Sequence, residues 1–294
     1  MRIFLTGATG FIGSKIIPEL INSGHQVLGL VRSDAGREAL QRAGAQAHRG
    51  DLEDLESLRA GVAGCDGVIH TAFDHDFQHF VANCEKDRIA ILALCDALAG
   101  SDRPMVITSG TAMGTVAPGQ PAVESAFNRD YQHPRMASEL AAEELLERGI
   151  NVSVARLSQI HDTTRQGLVS LLIDLARAKG VSAYVGDGMN RWSAAHVTDT
   201  ARLFRLALER GQPGARYNAT AEEGIEMRHI AKALGRNLGV QVVSVAQEEA
   251  AAHFGWLQIF AGADLSASSA ITRKLVDWQP TGPGLLDSLA HITR

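Results

Sequence analysis

Three glycines, Gly7, Gly10 and Gly13, form the most informative chemical pattern in the chain. A short apolar run, residues 2–5, precedes them. After them Phe11, Ile12, Ile16, Ile17, Leu20 and Ile21 recur at helical spacing on one broad face. A strand, a glycine turn and a helix in that order make a phosphate cradle. Gly7 permits the tight turn, Gly10 lets the backbone approach a pyrophosphate, and Gly13 lets the helix pack closely on its strand. Free N–H groups and the positive end of the helix dipole favour an anion there, so the pattern predicts a dinucleotide.

A second group of residues bears on which dinucleotide. The second apolar run, 25–31, ends Leu30-Val31-Arg32-Ser33. An acid at such a strand end holds a ribose 2′-hydroxyl, whereas a base accommodates a 2′-phosphate. Arg32 offers a fixed cation with a fork suited to phosphate, and Ser33 adds a hydroxyl donor. The expectation is NADP(H) in preference to NAD(H), against the plainer reading of Arg32 as a solvated surface arginine.

Hydroxyls and histidines mark two further places. Ser109 and Thr111 follow the fifth apolar run, 104–108, and read either as site hydroxyls or as turn formers. His70, Asp74, His75, Asp76 and His79 cluster after the fourth run, 67–70. No third ligand at metal spacing accompanies His75 and His79, and Asp76 before Phe77 looks like a helix cap, so no metal is expected. His75 or Phe73 is expected to touch a substrate. His161, Trp192 and His196 are candidates for the same crevice, with a structural histidine or packed tryptophan as the alternative.

The elements that position these groups alternate. Strands at 2–5, 25–31, 45–48, 67–70, 104–108 and 151–157 are separated by helices at 37–43, 52–58, 77–98 and 134–148. This rhythm predicts an α/β fold, a doubly wound parallel (Rossmann) sheet, with its ligands at the strand C-termini. Beyond residue 157 the rhythm breaks, and a smaller C-terminal substrate lobe is expected. The expected division is a dinucleotide-binding domain over 1–160, with 190–218 returning to it, and a lobe over 161–189 and 219–294. Within the lobe, residues 254–260 hold the densest aromatic stretch, read as core in preference to an apolar pocket.

Composition bounds the partners. The 294 residues are 45% hydrophobic and 21% charged, ordinary for a globular protein, and a net charge of −5 leaves no basic stripe for nucleic acid. No apolar run approaches the roughly 20 residues of a membrane span. Cys65, Cys84 and Cys95 are too scattered for a disulfide framework. The first strand and turn leave no room for a signal peptide, so a cytoplasmic location is the expectation.

With these pieces in place the chain resembles the extended and atypical short-chain dehydrogenase/reductases, the epimerase/dehydratase-like group. The matching pieces, in the family's order, are TGATGFIG at 6–13, Asp51-Leu52, His70-Thr71-Ala72, Thr108-Ser109-Gly110-Thr111, and Gly186-Asp187-Gly188 followed by His196-Val197-Thr198-Asp199. The resemblance implies that Thr9, Phe11 and Ile12 join the glycines in holding the cofactor, that Asp51 and Leu52 flank the adenine, and that Thr71 and Ala72 pass its centre. Phe73, Thr108 and Leu157, at neighbouring strand ends, are expected to contact it as well. Helices 77–98 and 134–148 resemble dimer-forming helices of the superfamily, so a homodimer is one expectation.

The same resemblance implies a Ser, a Tyr and a Lys four residues after it. Ser109 matches the serine, Tyr131 falls on the tyrosine, and the lysine position holds Arg135, which would also contact the cofactor. Arginine keeps its charge but does not give up a proton. Pro134 also starts the helix late, leaving Tyr131 in the loop before it. The implied function is an NADP(H)-dependent oxidoreductase acting on the carbonyl or secondary alcohol of a small organic molecule. The alternatives are an epimerase or dehydratase that retains its cofactor, and a non-catalytic NADP(H)-binding sensor.

Overall fold

The structure, a computed structural model, describes residues 1–130 and 133–292. Its first half alternates strand and helix: β1 (Arg2–Thr6), α1 (Gly13–Asn22), β2 (Gln26–Val31), α2 (Asp34–Arg42), β3 (Gln46–Arg49), α3 (Leu55–Ala63), β4 (Gly67–His70), α4 (Phe80–Asp96), β5 (Met105–Gly110), α5 (Met136–Glu147) and β6 (Val152–Leu157). The second half holds β7 (Gln159–His161), α6 (Leu168–Lys179), β8 (Val181–Val185), β9 (Arg191–His196), α7 (Val197–Arg210), β10 (Arg216–Ala219), β11 (Glu222–Glu226), α8 (Met227–Leu238) and β12 (Gln241–Val245), followed by short helices.

Seven strands make one parallel sheet in the order β10-β6-β5-β4-β1-β2-β3. The order reverses direction at β1, where a crevice opens beyond the strand C-termini. Both faces are covered over the central strands β1, β4, β5 and β6, which is why those strands are buried with little alternation. On one face Ile16, Ile17 and Leu20 of α1, Leu40 of α2 and Leu203 and Phe204 of α7 share a core. On the other, Leu58 and Val62 of α3, Ile91 and Leu94 of α4 and Ala141 and Leu145 of α5 share a second core. The doubly wound sheet expected from the sequence is therefore present.

The smaller lobe has its own core, with Val169, Ile173, Ile230, Leu234 and Leu285 among its members. Around it, β11, β9 and β7 form a three-stranded sheet, while β12 pairs in parallel with β8. None of β7, β9, β11 and β12 was legible beforehand. They are short, and residues such as Arg191–His196 show no period-two alternation because both faces are packed.

Local chemistry explains where element boundaries move. The helix expected from 37 begins at Asp34, because Ser33 caps it by accepting from Gly36 N at 3.1 Å. The helix expected over 52–58 begins at Leu55, because Asp54 accepts from Ser57 N at 3.1 Å, which leaves Leu52 in the preceding loop. Helix α7 starts at Val197, capped by His196, whose side chain accepts from Thr198 N. Among the described residues no helix is long and apolar enough to cross a membrane.

Candidate cofactor and active site

The glycine loop has the geometry its sequence called for. Gly7 has a φ of +66°, and a Cβ there would stand 2.7 Å from Ala72 N on the β4 loop. Gly10 N donates to Gly7 O at 2.8 Å, which closes the turn. A Cβ on Gly13 would stand 2.1 Å from Gly7 O, so only glycine lets α1 start this close to β1. Helix α1 has no side-chain cap and no acidic residue in its first turn. Its exposed end therefore offers N–H donors and a positive dipole to an anion. Thr9 is exposed there and Phe11 and Ile12 are half-buried. These residues fit a dinucleotide diphosphate.

Register in the parallel sheet sets the rest of the crevice. Thr6 lies opposite His70, and Gly110 opposite Leu157, so the C-terminal ends of β1, β4, β5 and β6 share one edge. Thr71, Ala72, Phe73, Thr108 and Leu157 are all half-buried along it. Thr71 Oγ1 donates to Thr6 O at 2.8 Å, and Thr108 Oγ1 to His70 O at 2.7 Å, which ties these strand ends together. Asp51 and Leu52 lie half-buried just past β3.

Just past the C-terminal end of β2, Arg32 is 82% exposed, with Nε 3.9 Å from Asp51. Tertiary structure adds two cations that the sequence reading missed. Arg37 of α2 and Arg49 of β3 approach Asp34 at 3.3 and 3.7 Å. The Ser33 hydroxyl is engaged as the α2 cap but keeps its proton available to donate.

Arg135 lies against the C-terminal end of β5. Its Nη1 donates to Asp87 Oδ2 at 2.9 Å and its Nη2 to Thr108 O at 2.7 Å, while the guanidinium carbon lies 4.3 Å over the Phe73 ring. Asp87, buried in α4, also accepts from Ser138 Oγ at 2.6 Å and from His70 Nε2 at 3.1 Å. His70 Nδ1 is in turn 2.7 Å from Thr6 Oγ1. A buried polar chain thus runs from the base of the glycine loop to Arg135. Burial alone would raise the Asp87 carboxyl, but Arg135, His70 and Ser138 outweigh it and hold the group below the usual carboxylate range. Helix α5 begins at Met136, two residues later than expected, with Arg135 at its N-cap. One turn on, Glu139 anchors the helix through a fully buried pair with Arg156 of β6 at 2.7 Å.

Ser109, at the end of β5, is buried, and its Oγ has no hydrogen-bond partner among the described residues. A buried hydroxyl left unpaired at a strand end carries a cost unless a ligand meets it. Thr111 is buried two residues on. Tyr131 lies outside the described residues. His75 donates Nδ1 to Phe73 O at 3.1 Å. Desolvation first, then the charges of Arg135 and Arg165, hold its imidazole below the ordinary value. Asp76 caps the turn after it by accepting from Gln78 N at 3.0 Å, and His79 bonds to the same carboxylate at 2.8 Å.

Two expected substrate contacts, Trp192 and His161, are buried. Trp192 is 1% exposed in the lobe core, because β9 is the middle strand of its sheet and is packed on both sides. His161 is fully buried, with Nδ1 2.9 Å from Ser288 Oγ and its ring 5.6 Å from that of His196. Burial, then the neighbouring His196, push its pKa down to about 4. His161 Nε2 and Trp192 Nε1 are both buried without a hydrogen-bond partner among the described residues. The aromatic stretch divides: Phe254 and Leu257 are core, whereas Trp256 and Ile259 are exposed.

Comparison with known proteins gives this geometry a family. The NAD dependent epimerase/dehydratase family matches residues 3–220. The chain belongs to that family. Its members are NAD(P)-dependent reductases, epimerases and dehydratases of the extended short-chain dehydrogenase/reductase type. The chain is 44% identical over 291 residues to the uncharacterized protein C2A9.02 of Schizosaccharomyces pombe, covering 99% of this chain and 98% of that one. It is 28% identical to a 4-hydroxy-2-methyl-3-oxo-4-farnesyl-3,4-dihydroquinoline-1-oxide ketoreductase of Stigmatella aurantiaca, covering 87% and 80%. Its fold is similar to that of DesIV, a dTDP-glucose 4,6-dehydratase of Streptomyces venezuelae solved with NAD, at a TM-score of 0.77 and 21% identity, covering 99% and 95%.

Proposed function

We propose that the chain is an NADP(H)-dependent oxidoreductase that reduces a carbonyl, or oxidises a secondary alcohol, on a small organic molecule. The observation that carries the cofactor choice is the gathering of Arg32, Arg37 and Arg49 around the β2 end, where Val31 replaces an acid. Their pairings with Asp51 and Asp34 are exposed and weak in water, so a doubly charged 2′-phosphate displaces them. The 28% identity to a ketoreductase supports the reductase direction.

When bound, the nicotinamide supplies or accepts hydride. The Ser109 hydroxyl donates a hydrogen bond to the substrate oxygen, with Thr111 beside it, and Tyr131 exchanges a proton with that oxygen. Arg135 keeps its proton, so it contributes charge and orientation and relays nothing. His75 and Phe73 face the substrate from the β4 loop. Two copies pairing through α4 and α5 complete the proposed assembly.

The ion pair between Arg135 and Asp87 favours a second reading, a non-catalytic NADP(H)-binding sensor. A cation neutralised by a buried carboxylate has little charge left to ionise a tyrosine. Fluorescence titration with NADPH and NADH, followed by turnover of a carbonyl panel, separates the readings. We expect NADPH to bind at least tenfold tighter and to be oxidised, and Tyr131→Phe to stop turnover while still binding NADPH. NADPH binding with no turnover across the panel supports the sensor, and equal or tighter binding of NADH removes the cofactor argument.

A further inference from the structure

A cation stands over the phosphate loop from the lobe side of the crevice. It is Arg165, in the loop between β7 and α6. That loop is closed by its own hydrogen bonds. Asp162 N donates to Arg165 O at 2.8 Å, and Asp162 Oδ1 accepts from Thr164 N at 2.6 Å and Arg165 N at 2.9 Å. A bridge between His161 and Gln166 closes its base. The loop is therefore preorganised, and it puts the Arg165 guanidinium carbon 6.0 Å from the centre of the Phe11 ring. Arg165 thereby faces the glycine loop from the 161–166 loop.

Its electrostatic situation matches that position. Among the described residues Arg165 makes no ion pair, and its guanidinium rests on an aromatic face instead. The other nearby cation, Lys15, lies close enough to Asp162 to help hold that carboxyl below its usual range. A diphosphate brings two negative charges, whereas a helix N-terminus supplies the equivalent of only about half a positive one. The backbone donors of the glycine loop would meet a diphosphate from the α1 side. A planar guanidinium with several donors is the group that fits such an oxygen pair.

We propose that Arg165 clamps the cofactor diphosphate from the lobe side, so that the dinucleotide is held between the α1 N-terminus and the 161–166 loop. This rests on the dinucleotide reading above. It makes the lobe a contributor to cofactor affinity as well as to substrate binding.

The test is binding, read by nucleotide fluorescence and by competition, in Arg165→Gln and Arg165→Lys. In Arg165→Gln, NADPH, NADH and ADP-ribose, which share the diphosphate, should each bind about tenfold more weakly, the size of one charge-assisted contact. Adenosine 2′-monophosphate, which lacks the diphosphate, should bind as it does to the unaltered chain. The lysine variant should recover part of the loss, and the gap between parent and glutamine variant should narrow as salt rises. Unchanged ADP-ribose and NADPH affinity in Arg165→Gln overturns the clamp, as does a parallel loss for adenosine 2′-monophosphate. If the unaltered chain binds neither NADPH nor NADH, the dinucleotide reading itself fails, an outcome visible before any variant is made.

Discussion

Asp87 holds three donors at once, from Arg135, Ser138 and His70, and the whole crevice floor leans on it. Removing one member of a buried pair strands the other charge away from water. Asp87→Asn should therefore lower unfolding stability near neutral pH by about 3 kcal/mol, measured by urea denaturation. The pH dependence has a definite sign. The folded carboxyl titrates below its unfolded value of about 4, so its contribution is complete above that pH and fades as pH falls through the folded value. The gap between parent and variant should close in acid. A gap that stays constant down to the acid transition would show that the carboxylate charge plays no part. None of this was legible in the sequence, because Asp87 and Arg135 are 48 positions apart and meet only when α4 packs beside α5.

At the scale of elements, the β1–α1 junction was readable because its determinants are local. Turn, glycines and helix onset all fall within thirteen residues, and their geometry depends little on the remainder of the fold. Gly13→Ala tests how tightly that junction is built. Its Cβ would collide with Gly7 O, so α1 must shift and the phosphate donors with it. We expect NADPH binding to fall by at least a hundredfold, with a melting temperature several degrees lower. Gly24→Ala is the control. It meets no atom within 4 Å and carries only left-handed strain, on the order of 1 kcal/mol, so it should bind NADPH normally. Equal NADPH affinity in both variants would dismiss the close approach as the reason for Gly13. Of the lobe strands, β7 and β9 were not readable, because three and six residues packed on both faces carry no periodic signal.

Across the whole molecule, the C-terminal segment returns to cover the large sheet. Val276 and Trp278 join the core built on α1 and α7, and Trp278 Nε1 donates to Asp199 O at 2.8 Å. Trp278→Ala should cost roughly 3–5 kcal/mol, through lost packing and an orphaned carbonyl. Because α7 and α1 share that core, a calorimetric melt should show one transition lowered as a whole. Loss confined to a separate lobe transition would contradict this coupling. The sequence by itself determined the parallel sheet, the glycine loop and the choice of strand ends for the site, since these follow from local periodicity and from backbone sterics. Tertiary structure alone decided that Arg37 and Arg49 join Arg32, that Asp87 receives Arg135, that Arg165 reaches Phe11, and that Trp192 and His161 turn inward. The physical reason is that each outcome depends on which faces pack together, and one-dimensional spacing does not encode the pairing of faces from distant elements.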